Sequence, residues 1–77
     1  MSVKLFGIAK DIVGTSTLKI AYQISTVDDL LVYLKSEYPE FVKLTSLLVA
    51  VNDEYALAET AISDADEVAI IPPVSGG

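Results

Sequence analysis

The last two residues of the sequence, Gly76 and Gly77, carry the one group in this chain whose type and position suggest chemistry. A terminal carboxylate can be activated and transferred only if it reaches into the active site of another protein, and glycine has no Cβ to obstruct a narrow channel. Two terminal glycines also arise by chance in roughly one chain in 200, because glycine makes up about 7% of residues. The pair becomes informative only together with the residues before it.

The segment before the glycines is suited to presenting them. Pro72 and Pro73 each fix φ near −65° and lack a backbone N–H, so they end a strand and extend the chain away from it. The apolar run Glu67–Ile71 before them is typical of a strand buried on both faces. We therefore predict a central strand, a stiff exit and a flexible tail from about residue 72 that also includes Val74 and Ser75.

Composition limits the other kinds of chemistry that this chain could perform. It contains neither cysteine nor histidine, which removes disulfides, thiol nucleophiles and the commonest transition-metal ligands. We therefore predict no metal site and no bound cofactor. The acidic residues that fall in predicted turns or at the predicted helix start, such as Asp28, Asp29, Asp53 and Glu54, are expected to cap helices or to be solvated.

Charge and length indicate the class of partner. Five lysines against eleven acidic residues give a net charge of −6. This balance disfavours nucleic acid and anionic membranes, since both require clustered positive charge. The 77 residues, of which 52% are hydrophobic, predict a single folded domain over residues 1–77. With no signal-like or membrane-spanning segment in the sequence, we expect a cytoplasmic protein.

Hydrophobic periodicity divides the chain into strands and one helix. The predicted strands are Val3–Ala9, Thr17–Ile24, Leu47–Val51 and Glu67–Ile71, with a brief edge segment at Tyr55–Leu57. The helix is predicted to begin after a Thr26 cap and to end at Tyr38, because Pro39 cannot continue it. Residues Lys10–Gly14 fit a short helical turn or loop that ends at Gly14, which is suited to a left-handed cap. Residues Phe41–Thr45 fit either a last helical turn or a loop, and Ala61–Ala65 fits a turn.

This order of elements indicates an α+β fold of the β-grasp, ubiquitin-like type. Such a fold is a mixed sheet of four to five strands packed around one main helix, with the first and last strands side by side and parallel. The side chains that would point at the helix are those of Val3, Leu5, Val68 and Ile70. The side chains of Phe6, Ala69 and Ile71 would point away and leave an apolar patch beside the tail.

Several stretches of the sequence resemble one known family. They are residues 6–14 (FGIAKDIVG), 26–30 (TVDDL), 50–52 (AVN) and, most specifically, 64–77 (DADEVAIIPPVSGG). In these stretches the chain resembles the small, sulfur-carrying subunit of molybdopterin synthase, a ubiquitin-like protein. That family usually has glycine where this sequence has Ala65, so the turn here is expected either to differ in type or to cost about 1 kcal/mol.

The resemblance implies a specific role for the tail. An ATP-dependent adenylating enzyme would activate the Gly77 carboxylate, and a persulfide donor would convert it to a thiocarboxylate. The large catalytic subunit of molybdopterin synthase would then receive the tail and use its sulfur to build the dithiolene of the molybdenum cofactor. This chain would be a sulfur donor and not an enzyme on its own, within a heterotetramer of two small and two large subunits.

The resemblance and the strand alternation together predict where partners bind. Phe6, Tyr55 and Ile71 are expected to form the docking patch, with acidic residues around it for orientation. Two other functions remain open at this point. The chain could carry sulfur for another pathway, such as thiazole synthesis, or it could be a ubiquitin-like binding module whose tail is never activated.

Overall fold

Five strands form one mixed sheet in the computed structural model of the protein, which describes residues 1–44 and 47–72. They are β1 (Ser2–Leu5), β2 (Thr17–Lys19), β3 (Leu48–Val51), β4 (Glu54–Tyr55) and β5 (Val68–Ile71). Their spatial order is β2-β1-β5-β3-β4, so the last strand is central, as its apolar sequence predicts. β1 and β5 are parallel, and the other paired strands are antiparallel. The predicted β-grasp arrangement is confirmed.

A helix, α1 (Gly7–Val13), follows β1 directly. The prediction that the first strand continues to Ala9 was therefore wrong. Ala9 is fully buried, and Ile12 and Val13 pack against the same core. Their spacing of three and four residues is that of a helix face, and this signal outweighs the apolar run that suggested a longer strand.

The helix ends lie where the sequence places suitable residues. The main helix, α2 (Val27–Glu37), begins at a capping box in which the Thr26 hydroxyl accepts from the Asp29 N–H and the Asp29 carboxylate accepts from the Thr26 N–H. Gly14 ends α1 in the left-handed conformation, and its N–H donates to the Lys10 carbonyl at 2.7 Å. Both caps agree with the sequence prediction.

Packing, more than capping, holds α2 on the sheet. Its buried side chains are Val27, Leu30 and Leu34, and burial of each contributes up to about 2 kcal/mol. A cap contributes about 1 kcal/mol. The cap therefore fixes where α2 begins, while the apolar stripe fixes which face it turns to the sheet. No helix in residues 1–44 and 47–72 has the length and apolar character needed to cross a bilayer.

The second strand is shorter than its alternating sequence predicts. β2 pairs with β1 only as far as Lys19, after which the chain leaves the sheet and runs towards α2. In a regular strand over Thr17–Ile24, alternation predicts that Ile20, Tyr22 and Ile24 share one face. Ile20 and Ile24 are buried, but Tyr22 is 68% exposed. Alternation therefore identified two core residues correctly and assigned the tyrosine between them to the wrong environment.

The segments between α2 and β5 are short and irregular. The ambiguous stretch after α2 contains a 3₁₀ helix, Pro39–Lys43, whose Phe41 is fully buried, and Thr45 lies outside the described residues. β4 is two residues long and ends at Tyr55, so it lies closer to the preceding turn than the edge segment predicted at Tyr55–Leu57. The core that these segments enclose lies between α2 and the inner face of the sheet, and it includes Val3, Leu5, Val68 and Ile70, the four residues predicted to face the helix.

Candidate functional site

The outer face of the sheet carries apolar side chains beside the end of β5. Ala50 of β3 pairs with Ala69 of β5 and with Tyr55 of β4, and Leu48 pairs with Ile71. Residues paired directly across a sheet share a face, so all five side chains lie on the side away from α2. This confirms the predicted orientation of Ala69 and Ile71.

A depression of about 390 Å³ on this face brings together the three residues of the predicted patch, Phe6, Tyr55 and Ile71. Sequence reasoning named Ala69 as well but missed the rest of the lining. The lining residues are Lys4, Phe6, Ala50, Asp53, Tyr55, Glu67, Val68, Ala69 and Ile71. Its apolar floor has one ammonium group and two carboxylates around it.

The two aromatic side chains of this depression are largely exposed and are not part of the buried core. Phe6 is 51% exposed and Tyr55 is 72% exposed. Exposed apolar side chains grouped together and surrounded by charged groups are typical of a surface that binds a partner. We refer to Phe6, Tyr55 and Ile71 as the docking patch.

The central strand β5 ends beside this patch. Pro72 directly follows Ile71, is buried, and packs on Gly7 at the start of α1. Gly7 has φ of +54°, and a Cβ placed on it would lie 3.2 Å from Cγ of Pro72. This contact was not predicted, since nothing in the sequence pattern connects these two residues. The predicted site residues Pro73, Val74, Ser75, Gly76 and Gly77 lie outside the described residues.

Hydrogen bonds from Asn52 hold the turn beside the patch. Asn52 and Asp53 adopt φ of 52° and 69°, which is the left-handed conformation of a tight hairpin turn between β3 and β4. The Asn52 amide donates to Asp66 Oδ1 at 3.0 Å, and its side-chain oxygen accepts from the Glu67 N–H at 3.0 Å. The turn is thereby tied to the residues that lead into β5.

Asp66 closes the turn in which the resembling family usually has glycine. Its Oδ2 accepts from the Ser63 N–H at 2.9 Å, and its own N–H donates to the Ser63 carbonyl at 3.0 Å. Ala65, inside this turn, does not have positive φ. The turn therefore accepts alanine without left-handed strain. The Asn52 hydrogen bond, and then that of Ser63, hold the pKa of the Asp66 carboxyl below its ordinary value.

In the described residues, the parallel β1–β5 pair and the packing of α2 on a five-stranded mixed sheet define a ubiquitin-like β-grasp protein. The sequence model described as the ThiS family matches residues 3–77. The chain belongs to this family. The match extends through the tail, beyond the last residue that the structure describes.

Similar proteins agree with this assignment. A molybdopterin synthase sulfur carrier subunit from Dictyostelium discoideum is 38% identical to this chain. The alignment covers 97% of this chain and 93% of that protein. The small archaeal modifier protein 1 of Methanosarcina acetivorans superposes with a TM-score of 0.81 at 28% identity, over 99% of this chain and 94% of that one. A chain in the complex of subunits 1 and 2 of the molybdopterin-converting factor from Helicobacter pylori superposes with a TM-score of 0.68 at 25% identity. The superposition covers 99% of this chain and 96% of that one.

The Gly7 and Pro72 contact predicts different outcomes for two glycine substitutions. Gly7→Ala should destabilise the protein by about 1 to 2 kcal/mol through left-handed strain. It should also displace Pro72, because the added methyl carbon would lie only 3.2 Å from Cγ of Pro72. Gly14→Ala has a similar φ of +90° but no heavy atom within 4 Å, so it should produce strain alone. Urea unfolding measures the first effect, and amide chemical shifts at Ile71 measure the second. Equal shifts at Ile71 in both variants would contradict the contact.

The lowered pKa of Asp66 predicts a dependence of stability on pH. Because the folded state favours the carboxylate, its contribution is present above the carboxyl pKa of the unfolded chain and is lost as the pH falls through the folded value. The stability difference between the natural protein and Asp66→Asn should therefore be largest near neutral pH and should shrink below about pH 4. Urea unfolding across this range measures it. Glu59→Gln is the control, because Glu59 is exposed and lies outside this hydrogen-bond network. If the stability difference caused by Asp66→Asn did not change with pH, the stabilising role of the Asp66 carboxylate would be refuted.

Proposed function

We propose that this chain is the sulfur carrier subunit of a molybdopterin synthase. One structural observation carries the proposal: the central strand ends beside an exposed apolar depression and leads into a sequence that finishes in two glycines. The family match through residue 77 and the 38% identical sulfur carrier relative support it. The described domain would bind a partner, and the tail would deliver its end into that partner.

The proposed chemistry begins at the Gly77 carboxylate. A carboxylate oxygen attacks the α-phosphate of ATP, pyrophosphate leaves, and the product is a mixed anhydride with AMP. The terminal sulfur of a persulfide then attacks the acyl carbon, AMP leaves, and an acyl disulfide forms. A thiol of the activating partner cleaves the sulfur–sulfur bond, which gives the thiocarboxylate and a disulfide. Because this activation consumes ATP, we place the protein in the cytoplasm.

The second half of the reaction takes place in the large subunit. The thiocarboxylate sulfur attacks a carbon of the cyclic pterin phosphate, the bond from that carbon to a phosphate oxygen breaks, and the cyclic phosphate opens. Hydrolysis of the resulting thioester leaves sulfur on the pterin and returns the carboxylate. A second transfer, in which an oxygen substituent of the neighbouring carbon leaves as water, completes the dithiolene. The neighbouring structure that contains subunits 1 and 2 of the molybdopterin-converting factor supports a large-subunit partner. The chain itself would act as a sulfur donor within a heterotetramer.

The absence of cysteine suits this chemistry. An acyl adenylate reacts with any nearby thiol, and the sequence contains none that could intercept it. The carried sulfur is bound to the terminal carbon, so the carrier requires no thiol of its own.

A second candidate function is favoured by the small archaeal modifier protein among the structural neighbours. A modifier could use the same adenylated carboxylate, with the amine of another protein as the nucleophile in place of sulfur. A sulfur carrier for thiazole synthesis would also share the tail chemistry. These functions differ in the nucleophile or in the partner that accepts the sulfur, so they can be separated by the product that forms.

Intact mass spectrometry tests the tail chemistry. After incubation with a molybdopterin synthase adenylating enzyme, ATP and a persulfide donor, the chain should gain the mass difference between sulfur and oxygen, and fragmentation should place it on Gly77. A variant with one alanine added after Gly77 should gain nothing, because its activated end would be displaced. A bond to a lysine side chain would identify a modifier, and an unmodified chain that still binds its partners would identify a binding module.

Binding measurements test the docking patch. Phe6→Asp should weaken association with the large subunit by about 2 kcal/mol or more, since it removes an aromatic anchor and introduces an unpaired charge. This corresponds to roughly a thirtyfold rise in Kd, measurable by calorimetry. Val42→Asp is the matched control, because Val42 is similarly exposed but lies on the 3₁₀ helix outside the depression. Equal effects of the two variants would place the interface elsewhere.

A further inference from the structure

A second surface of this protein has a composition unlike that of the docking patch. A groove of about 730 Å³ lies between α2 and the segment that connects β2 to it. Its lining includes Tyr22 and Gln23 on one side and Asp29, Tyr33 and Glu37 of α2 on the other. None of its lining residues also lines the depression that contains the docking patch.

Two tyrosine rings form the apolar part of this groove. The ring centroids of Tyr22 and Tyr33 are 5.7 Å apart and the planes are inclined by 32°. Tyr22 is one of the most exposed large side chains in the described part of the chain, although this segment is held close to the core by buried Ile24. The pair therefore presents aromatic surface to solvent mainly through Tyr22, while Tyr33 is partly buried and packs against the core.

Carboxylates lie on both sides of this aromatic pair along the helix. Asp29, Tyr33 and Glu37 are four residues apart, so they form one row on α2 with steps of roughly 6 Å along the helix axis. Burial, and then the charge of Glu37, raise the pKa of Tyr33 above its ordinary value. Among the described residues that line the groove there are two carboxylates and no ammonium group.

We propose that this groove binds an arginine side chain on an extended segment of a partner protein. A guanidinium group stacks on aromatic rings and forms paired hydrogen bonds with carboxylates, so it matches both components of the groove. A guanidinium centred over Tyr33 would lie between the Asp29 and Glu37 carboxylates. A neutral or acidic segment would leave these charges unpaired.

The position of the groove gives this interaction a distinct role. Because the groove and the docking patch share no lining residue, one partner can hold the groove while the patch and the tail engage another. The net charge of −6 favours approach of a basic segment over long range as well. This inference concerns a different surface from the proposed sulfur transfer and does not depend on it.

Nuclear magnetic resonance titration tests the proposal on the full chain. The probe is the tripeptide acetyl-Gly-Arg-Gly-amide, and the comparison peptide carries citrulline, the neutral isostere of arginine. The arginine peptide should cause saturable amide shifts confined to residues 21–24 and the outer side of α2, and the citrulline peptide should not. Tyr22→Ala should raise the Kd of the arginine peptide roughly two- to fivefold, as expected for an exposed cation–π contact.

Matched variants separate this site from general charge attraction. Tyr55→Ala removes an equally exposed tyrosine from the docking patch, and Glu40→Gln removes an exposed carboxylate outside the groove. Neither should change the Kd, whereas Glu37→Gln should raise it. The proposal is overturned if the citrulline peptide binds equally well, if the shifts spread over the acidic surface, or if the matched variants weaken binding as much as Tyr22→Ala and Glu37→Gln.

Discussion

The parallel pairing of β1 with β5 is the constraint on which the rest of the structure depends. It joins the beginning of the chain to the last described strand, with Val3 opposite Val68 and Leu5 opposite Ile70. All four side chains are buried beneath α2. A pairing between segments so far apart in sequence is stable only because it buries this apolar surface, since loop closure and chain ordering oppose it.

This pairing also explains why one sheet has two different faces. Alternation along β5 directs Val68 and Ile70 into the core and leaves Ala69 and Ile71 on the outer face. The inner face supplies stability, and the outer face is available for a partner. Exposed apolar surface favours self-association, and the net charge of −6 opposes it through repulsion between copies. The charge therefore reduces association between copies through the exposed apolar side chains of the outer face.

The residue that follows the central strand, Pro72, is held by a specific contact with α1. Pro72 is packed on Gly7, whose left-handed conformation and missing side chain make room for the proline ring. The hydrogen bonds between Asn52, Asp66 and Glu67 fix the β3–β4 turn beside the start of β5. Both ends of the central strand are thus held by specific contacts.

The sequence alone determined the features that depend on local chemistry. The Thr26 cap, the Gly14 cap, the apolar central strand and the two-glycine end follow from residue type and spacing, and the family resemblance followed from contiguous motifs. Only the tertiary structure showed α1 in place of a longer first strand, the exposure of Tyr22, and the meeting of Gly7 with Pro72. These features arise from contacts between residues distant in sequence. Periodicity describes one segment at a time and cannot show which neighbour will cover each face.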